Sequence, residues 1–200
     1  MSARDEILGR VRAALVDAPG PPEVPRGHRG GSDELDHPGT DVLGLFAERV
    51  ADYKADVVRC SPAEVEVRIA EALAGARTVV PPELGWHVPD AVVDTGLTAQ
   101  ELDGIEAVVT AAAVGVAETG TVVLDHGPGQ GRRALSLVPD LHVLVVLADQ
   151  VVSGVPEAVA RLDPARPTTW ISGPSATSDI ELNRVEGVHG PRRLVVLLVG

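Results

Sequence analysis

The sequence predicts an α/β protein built on a mostly parallel sheet, and three observations lead to this class. Apolar residues make up 44% of the 200-residue chain but aromatic residues only 2%, so the core must consist of Val, Leu, Ile and Ala. Short aliphatic stretches recur along the chain, and stretches with helical periodicity lie between them. Parallel sheets are buried on both faces and are made of such strands, so we expect helices on both sides of the sheet.

The first 40 residues are predicted to lie outside the folded domain. Ser2 can cap an amphipathic helix within residues 1–17, and the apolar residues of this helix recur at helical spacing: Ile7, Leu8, Val11 and Leu15. Residues 18–40 alternate proline with glycine and offer almost nothing apolar to bury, which predicts a flexible linker. The helix can dock on the domain, on a second copy of the chain or on another protein, and the sequence does not decide which.

The folded domain is expected over residues 41–200 and begins with two helices around a short strand. The first helix starts near Asp41 and presents one apolar face, and a strand follows around Val57. Ser61 and Glu64 form a capping box with proline at the first helical position, and Gly75 ends this second helix.

The remaining elements continue the alternation of strands and helices. Residues 78–80 and 91–93 are predicted to be short buried strands, and Thr98 with Glu101 predicts another capping box before a brief helix. A further helix is expected from Val155. The longer strands are expected at residues 107–110, 121–124, 141–147, 168–172 and 194–199.

Charge and cysteine content exclude several classes of function. A net charge of −12 makes nucleic acid and anionic membrane surfaces improbable partners. Cys60 is the single cysteine, so the chain can form no internal disulfide and cannot supply the four thiolates that an iron–sulfur cluster normally needs. No apolar run approaches the roughly 18 residues of a membrane span, and no signal peptide is evident, so we expect a cytoplasmic protein.

A first candidate site is the glycine-rich segment from Gly115 to Thr121. It places the Glu118 carboxylate and the hydroxyls of Thr119 and Thr121 beside Gly120, where a ligand can approach the backbone. A carboxylate at a strand end can act as nucleophile or general base, which makes Glu118 a candidate catalytic residue. The alternative is a glutamate that fixes a turn through backbone N–H groups.

A second candidate site leaves a predicted strand through a Gly-Pro turn and enters a predicted helix. Hydroxyls and carboxylates concentrate at that helix start, and the candidate substrate- or anion-binding residues are Gly173, Pro174, Ser175, Thr177, Asp179 and Glu181. A helix N-terminus offers free N–H groups and a partial positive charge, so it can bind a phosphate or a carboxylate. The alternative is simple helix capping by the same side chains.

Two further segments carry polar residues near glycines. His189 lies between glycines as a candidate acid or base, with Gly190 and Arg192 as candidate ligand contacts, although a single histidine in a turn can equally be structural. No metal-ligand spacing surrounds it. Residues 125–133 lack the pattern of a phosphate-binding loop, so we predict a solvated hairpin or connecting loop with Arg132 and Arg133 as possible anion contacts.

Three strings taken together resemble the lactate utilisation (LUD) domain family, specifically its small LutC/YkgG type. In chain order they are GVAETGTVVL, RRALSLVPDLHVLVVL and ISGPSATSDIELNRVEGVHGPRRLVVLL, within residues 108–199. The resemblance implies a three-layer α/β/α sandwich similar to the NagB/RpiA/CoA transferase-like fold. One departure is Ala176, at a position where relatives often carry a basic residue.

The resemblance also implies a role in oxidising L-lactate to pyruvate beside two companion subunits, one cysteine-rich and one carrying iron–sulfur clusters. The leading hypothesis is therefore a non-redox subunit, without a cofactor of its own, that binds a small carboxylate or organises its partners. A second hypothesis is a CoA transferase-like enzyme with Glu118 as the nucleophile of an acyl intermediate. A third is a scaffold or regulator that docks through the N-terminal helix, and a homo-oligomer is compatible with each.

Overall fold

A computed structural model of the chain describes residues 2–16, 41–174, 176–177, 185–186 and 190–200. The predicted linker over residues 18–40 lies outside the described residues. The helices in these ranges are α1 (Ala3–Ala14), α2 (Val42–Asp52), α3 (Val65–Leu73), α4 (Ala99–Asp103) and α5 (Val155–Arg161). The strands are β1 (Asp56–Cys60), β2 (Thr78–Val80), β3 (Val92–Val93), β4 (Ala107–Ala111), β5 (Val114–Val116), β6 (Thr121–Leu124), β7 (Leu141–Leu147), β8 (Val151–Val152), β9 (Thr169–Ile171), β10 (Ala176–Thr177), β11 (Val185–Glu186) and β12 (Arg193–Val199).

Six strands form a parallel sheet in the order β1-β12-β7-β4-β2-β3, which confirms the predicted α/β class. Successive side chains of β7 point to opposite faces of this sheet. Val143 and Val145 pack with α3, whereas Leu144 and Val146 pack with α2. Both faces are therefore buried, as aliphatic parallel strands require.

One face of the parallel sheet is covered by α3, which begins as the sequence predicts. Ser61 and Glu64 form the capping box, and a 3₁₀ turn over Pro62–Glu64 leads into α3. Its buried residues Val65, Ile69 and Leu73 recur at helical spacing and pack on the sheet. The helix ends in two residues with positive φ, Ala74 and Gly75, which satisfies the expected glycine stop.

The opposite face is covered by α2 together with a second sheet that the sequence did not predict. Phe46 and Val50 of α2 are buried against the parallel sheet and against Val122 and Leu124 of β6. The second sheet has the order β8-β5-β6-β9, in which β6 is antiparallel to both of its neighbours. Residues 121–124 and 169–171 were therefore correctly predicted as strands, but they do not belong to the parallel sheet.

One local prediction was wrong. Val92 and Val93 are about half exposed rather than buried, because β3 is the last strand of the parallel sheet. Shortly after the Gly-Pro turn, Ala176–Thr177 is a short strand that pairs antiparallel with Val185–Glu186. Residues 178–184 lie outside the described residues, so the helix predicted to follow this turn stays a prediction.

The structure contains the predicted N-terminal helix as α1, but the apolar residues of this helix are not buried. Ser2 caps α1 with a capping box to Asp5, yet none of the helix residues is buried. Ile7 and Leu15 are each about 60% exposed. Within the described ranges, no helix is long and apolar enough to cross a membrane.

Candidate functional site

The two glycine-rich segments predicted from the sequence are joined by a row of hydroxyl groups. Thr121 begins β6 and Ser172 directly follows β9, and the pairing of these strands brings the two Oγ atoms to 2.8 Å. Thr121 Oγ1 is also 2.8 Å from Thr119 Oγ1. Segments that are 51 residues apart in the chain therefore share one hydrogen-bonded network.

Two glycines of these segments make close approaches to α2. Gly120 has φ +58°, and a Cβ atom there would lie 2.5 Å from the Arg49 carbonyl carbon. Gly173 has φ +80°, and a Cβ atom there would lie 2.5 Å from Tyr53 Cβ. Both glycines allow a left-handed backbone to pack on the C-terminal end of α2.

Glu118 lies in the turn between β5 and β6, and its side chain is exposed. Its backbone N–H donates to the carbonyl of Ser153 at 3.0 Å, which anchors the turn to the start of α5. The carboxylate approaches Gly154, where a Cβ atom would lie 3.2 Å from Oε2. Glu118 does not line the cavity described next, and its role as nucleophile or base stays a prediction.

A cavity of about 270 Å³ lies where β9 meets the amino ends of β7 and β12. Three predicted ligand residues line it, namely Gly173, Pro174 and Gly190. Its other lining residues are Arg133, Ser136, Leu137, His142, Thr169, Trp170, Ile171, Ser172, Pro191 and Leu194. Ligands of open α/β sheets usually bind at the carboxyl ends of the strands, so this cavity lies at the opposite edge.

Several predicted site residues cannot be compared with this cavity. Ser175, Asp179, Glu181 and His189 lie outside the described residues, as does the side chain of Thr177. Their described neighbours Pro174 and Gly190 line the cavity. The roles predicted for these residues stay predictions.

The charged group of the cavity is the guanidinium of Arg133. Its Nη1 donates to Thr169 Oγ1 at 3.1 Å, and Thr169 is only 7% exposed. The Ser172 hydroxyl, which is hydrogen-bonded to Thr121 Oγ1, also lines the cavity, whereas Leu137, Ile171 and Leu194 supply apolar surface. One cation, several hydroxyls and an apolar wall suit a small ligand with a carboxylate at one end.

His142 contributes a neutral imidazole to the cavity. The side chain is 1% exposed, and its Nε2 is 2.8 Å from Thr110 Oγ1. Burial disfavours the charged form and lowers the pKa of His142 to about 4. The imidazole therefore stays uncharged at neutral pH and does not compete with Arg133 for an anion.

Arg192, a predicted ligand contact, is bound to another side chain on the surface. Its Nε donates to Asp140 Oδ1 at 2.9 Å and its Nη2 donates to Oδ2 at 2.6 Å. These hydrogen bonds raise the pKa of the guanidinium. Arg192 does not line the 270 Å³ cavity.

The loop over residues 125–133 connects β6 to β7 and is held by ion pairs. Arg132 donates to both oxygens of Asp94, with Nε 2.7 Å from Oδ2, and these bonds hold the pKa of that carboxyl below its usual range. Arg166 Nη1 donates to Asp125 Oδ2 at 2.8 Å. Arg132 is therefore already paired with Asp94, and of the two arginines only Arg133 lines the cavity.

Sequence reasoning assigned no role to three of the residues in this cavity. His142 lies on β7, whereas Thr169 begins β9 and Ser172 directly follows it, and no local motif joins the three residues. The interpretation of the loop had named Arg133 only as a possible anion contact. In the part of the chain that the structure describes, no group of three or more histidines, cysteines and acidic residues could hold a metal ion.

Comparison with known proteins gives consistent results. The LUD domain family model matches residues 41–199. The lactate utilization protein C of Deinococcus radiodurans is 49% identical over 171 residues, which cover 80% of each chain. Its counterpart in Bacillus pumilus is 41% identical over 92 residues, or 42% of this chain and 38% of that protein. A crystal structure of a DUF162 family protein from Deinococcus radiodurans is 43% identical and aligns with a TM-score of 0.67, covering 80% of this chain and 97% of that one.

Proposed function

The chain belongs to the LUD domain family, and from this membership we propose that it is a non-redox subunit of an L-lactate-oxidising complex that binds a small carboxylate. Two relatives that match the chain are named lactate utilization protein C, which supports a role in lactate utilisation. The observation that carries the ligand assignment is the Arg133 guanidinium beside Thr169 and Ser172 in a small cavity.

The size and lining of the cavity support a small carboxylate over a larger cofactor. Sites for drug-sized ligands occupy about 300–1,000 Å³, so a cavity of about 270 Å³ suits a smaller molecule. A carboxylate can accept hydrogen bonds from Arg133 and Ser172, and the methyl group of a short 2-hydroxy acid can contact Ile171 or Leu194. Lactate has these groups, as does pyruvate apart from the hydroxyl.

The electron-transfer groups of the proposed complex are assigned to companion subunits. Iron–sulfur clusters are usually held by four cysteine thiolates, and this chain has Cys60 alone. Burial raises the pKa of the Cys60 thiol, which disfavours the thiolate that a cluster would need. The donor set therefore does not fit a cluster, and we assign the clusters to a cysteine-rich and an iron–sulfur partner.

Calorimetric titration of the full chain tests the ligand assignment directly. We expect L-lactate and pyruvate to bind and lactamide, which lacks the carboxylate charge, to bind at least roughly tenfold more weakly. Arg133→Gln should reduce affinity for L-lactate by a similar factor, because a charge-assisted hydrogen bond is lost. Arg10→Gln, on the unburied helix α1, is the matched control and should bind like the wild type.

Reconstitution tests the role in the complex. Lactate-dependent dye reduction by the two companion subunits should require this chain, and Arg133→Gln should lower the rate at subsaturating lactate. Full activity without the chain would refute the proposed role, whereas normal activity with Arg133→Gln would refute only the assignment of the cavity.

A further inference from the structure

A row of three hydrogen bonds connects the loop over residues 125–133 to the guanidinium of the cavity. His126 Nδ1 is 2.7 Å from the carbonyl oxygen of Gly131. His126 Nε2 is 3.2 Å from Thr169 Oγ1, and Arg133 Nη1 is 3.1 Å from the same hydroxyl oxygen. The proposed function involves the bond between Arg133 and Thr169. It assigns no role to His126.

The direction of every bond in the row follows from the chemistry of the groups. A carbonyl oxygen only accepts, so His126 Nδ1 must carry the proton that it donates to Gly131. In a neutral imidazole the other nitrogen is then an acceptor, and the Thr169 hydroxyl donates to Nε2. Because that hydroxyl proton is used, the Thr169 oxygen faces Arg133 as an acceptor.

The groups that precede Arg133 in the row lie on backbone with defined conformations. His126 has φ +58°, in the left-handed region that a residue other than glycine rarely adopts. Gly131 has φ +72°, and a Cβ atom there would lie 2.6 Å from Leu135 Cδ1 and 2.8 Å from Pro81 Cβ, so these two side chains pack closely on its backbone. Thr169 lies on β9 in register with Leu124 of β6.

Arg133 differs from these groups because it is exposed and has a long side chain. Ordering such a side chain when a ligand binds costs conformational entropy, which weakens binding. A fixed acceptor near Nη1 restricts the guanidinium before the ligand arrives. We propose that His126 is a positioning residue, which through Thr169 orients Arg133 toward a bound carboxylate; this inference rests on the function proposed above.

Two matched substitutions at Thr169 test the row in lactate titrations of the full chain. Thr169→Val keeps the shape of the side chain but removes the hydroxyl, and we expect it to weaken L-lactate binding roughly three- to tenfold. Thr169→Ser keeps the hydroxyl and should bind within about twofold of the wild type. Equal affinities of the two variants would overturn the proposal.

A double-mutant cycle separates positioning from a general structural effect. His126→Asn tolerates the left-handed backbone while removing the imidazole, and it should weaken lactate binding as Thr169→Val does. Because both residues act through one row, the double variant should bind no more weakly than Thr169→Val alone. Additive losses would show that His126 does not act through Thr169.

Nitrogen NMR tests the row without any ligand. In its neutral form, His126 should show a protonated Nδ1 and an unprotonated Nε2, and the opposite tautomer would overturn the proposal. Relaxation of the Arg133 side-chain nitrogens should reveal greater mobility in Thr169→Val than in Thr169→Ser. If the wild type binds no lactate, the proposed function fails, and these two measurements still decide whether His126 positions Arg133.

Discussion

Acidification of the protein provides a test of the buried imidazole at the cavity. His142 is 1% exposed, and burial lowers its pKa to about 4 in the folded state. In the unfolded chain the ordinary value of about 6.5 applies. Between these values the unfolded state binds a proton and the folded state does not, so the free energy of unfolding must fall as the pH falls from 6.5 to about 4.

The size of this effect follows from the two pKa values. Relative to neutral pH, the imidazole should reduce the free energy of unfolding by about 2 kcal/mol at pH 5 and about 3 kcal/mol at pH 4. Carboxylates such as Asp94, whose pKa is lowered by hydrogen bonds from Arg132, add a loss of the same sign. A comparison with a variant that lacks the imidazole is therefore required.

His142→Gln is that variant, because glutamine can still bond to Thr110 but does not titrate in this range. Urea unfolding followed by circular dichroism at pH 7.5, 6, 5 and 4.5 gives the free energy of unfolding of both proteins. The carboxylates are common to both, so their contributions cancel in the difference. Between pH 7.5 and 5 the wild type should lose about 2 kcal/mol more than His142→Gln.

His87 is exposed, so His87→Gln is the control for the removal of a histidine from the surface. Curves for the wild type and His142→Gln that stay parallel within about 0.5 kcal/mol down to pH 4.5 would refute the reasoning. The pKa of His142 would then not be lowered in the folded state, and the assignment of a neutral imidazole to the cavity would be wrong.

Two further predictions concern packing and the N-terminal helix. Gly120→Ala should lower the free energy of unfolding by about 2–4 kcal/mol in urea unfolding, because φ is +58° and a Cβ atom would lie 2.5 Å from the backbone of α2. Gly85 has open space around it, so the control Gly85→Ala should change the free energy of unfolding by less than about 0.5 kcal/mol. Deleting residues 1–40 should leave the melting temperature of the remaining chain within about 1 °C of the wild type, because α1 buries no residue. Calorimetry measures this temperature, and a large drop would show that the deleted segment packs on the domain.

Much of the fold could be predicted because its signals are local. The predicted cap at Ser2 and the predicted capping boxes at Ser61 and Thr98 are present in the structure, since a cap needs only residues three positions apart. The aliphatic strands were found for a similar reason. The second sheet was missed because periodicity identifies a strand but not its neighbour, and β6 pairs with β9 across more than 40 intervening residues.

In the candidate site, too, local features could be predicted from the sequence but long-range contacts could not. Its glycines were noticed, but their left-handed backbones serve the contact with α2, a helix more than 60 residues earlier in the chain. The loop over residues 125–133 looked solvated because its ionic partners, Asp94 and Arg166, lie far from it in sequence. A charge pattern shows which groups are present but not which of them are already paired.

By itself, the sequence determined the α/β class, the starts of the described helices, the lack of cysteine ligands for a cluster and the resemblance to the LUD domain family. These properties depend on composition, short spacings and the order of motifs. Only the tertiary structure decided that Arg133 faces a cavity while Arg132 is paired with Asp94, and that Thr169 and Ser172 join Arg133 there. The physical reason is that long-range strand pairing places these side chains, and the residues near them in sequence do not predict that pairing.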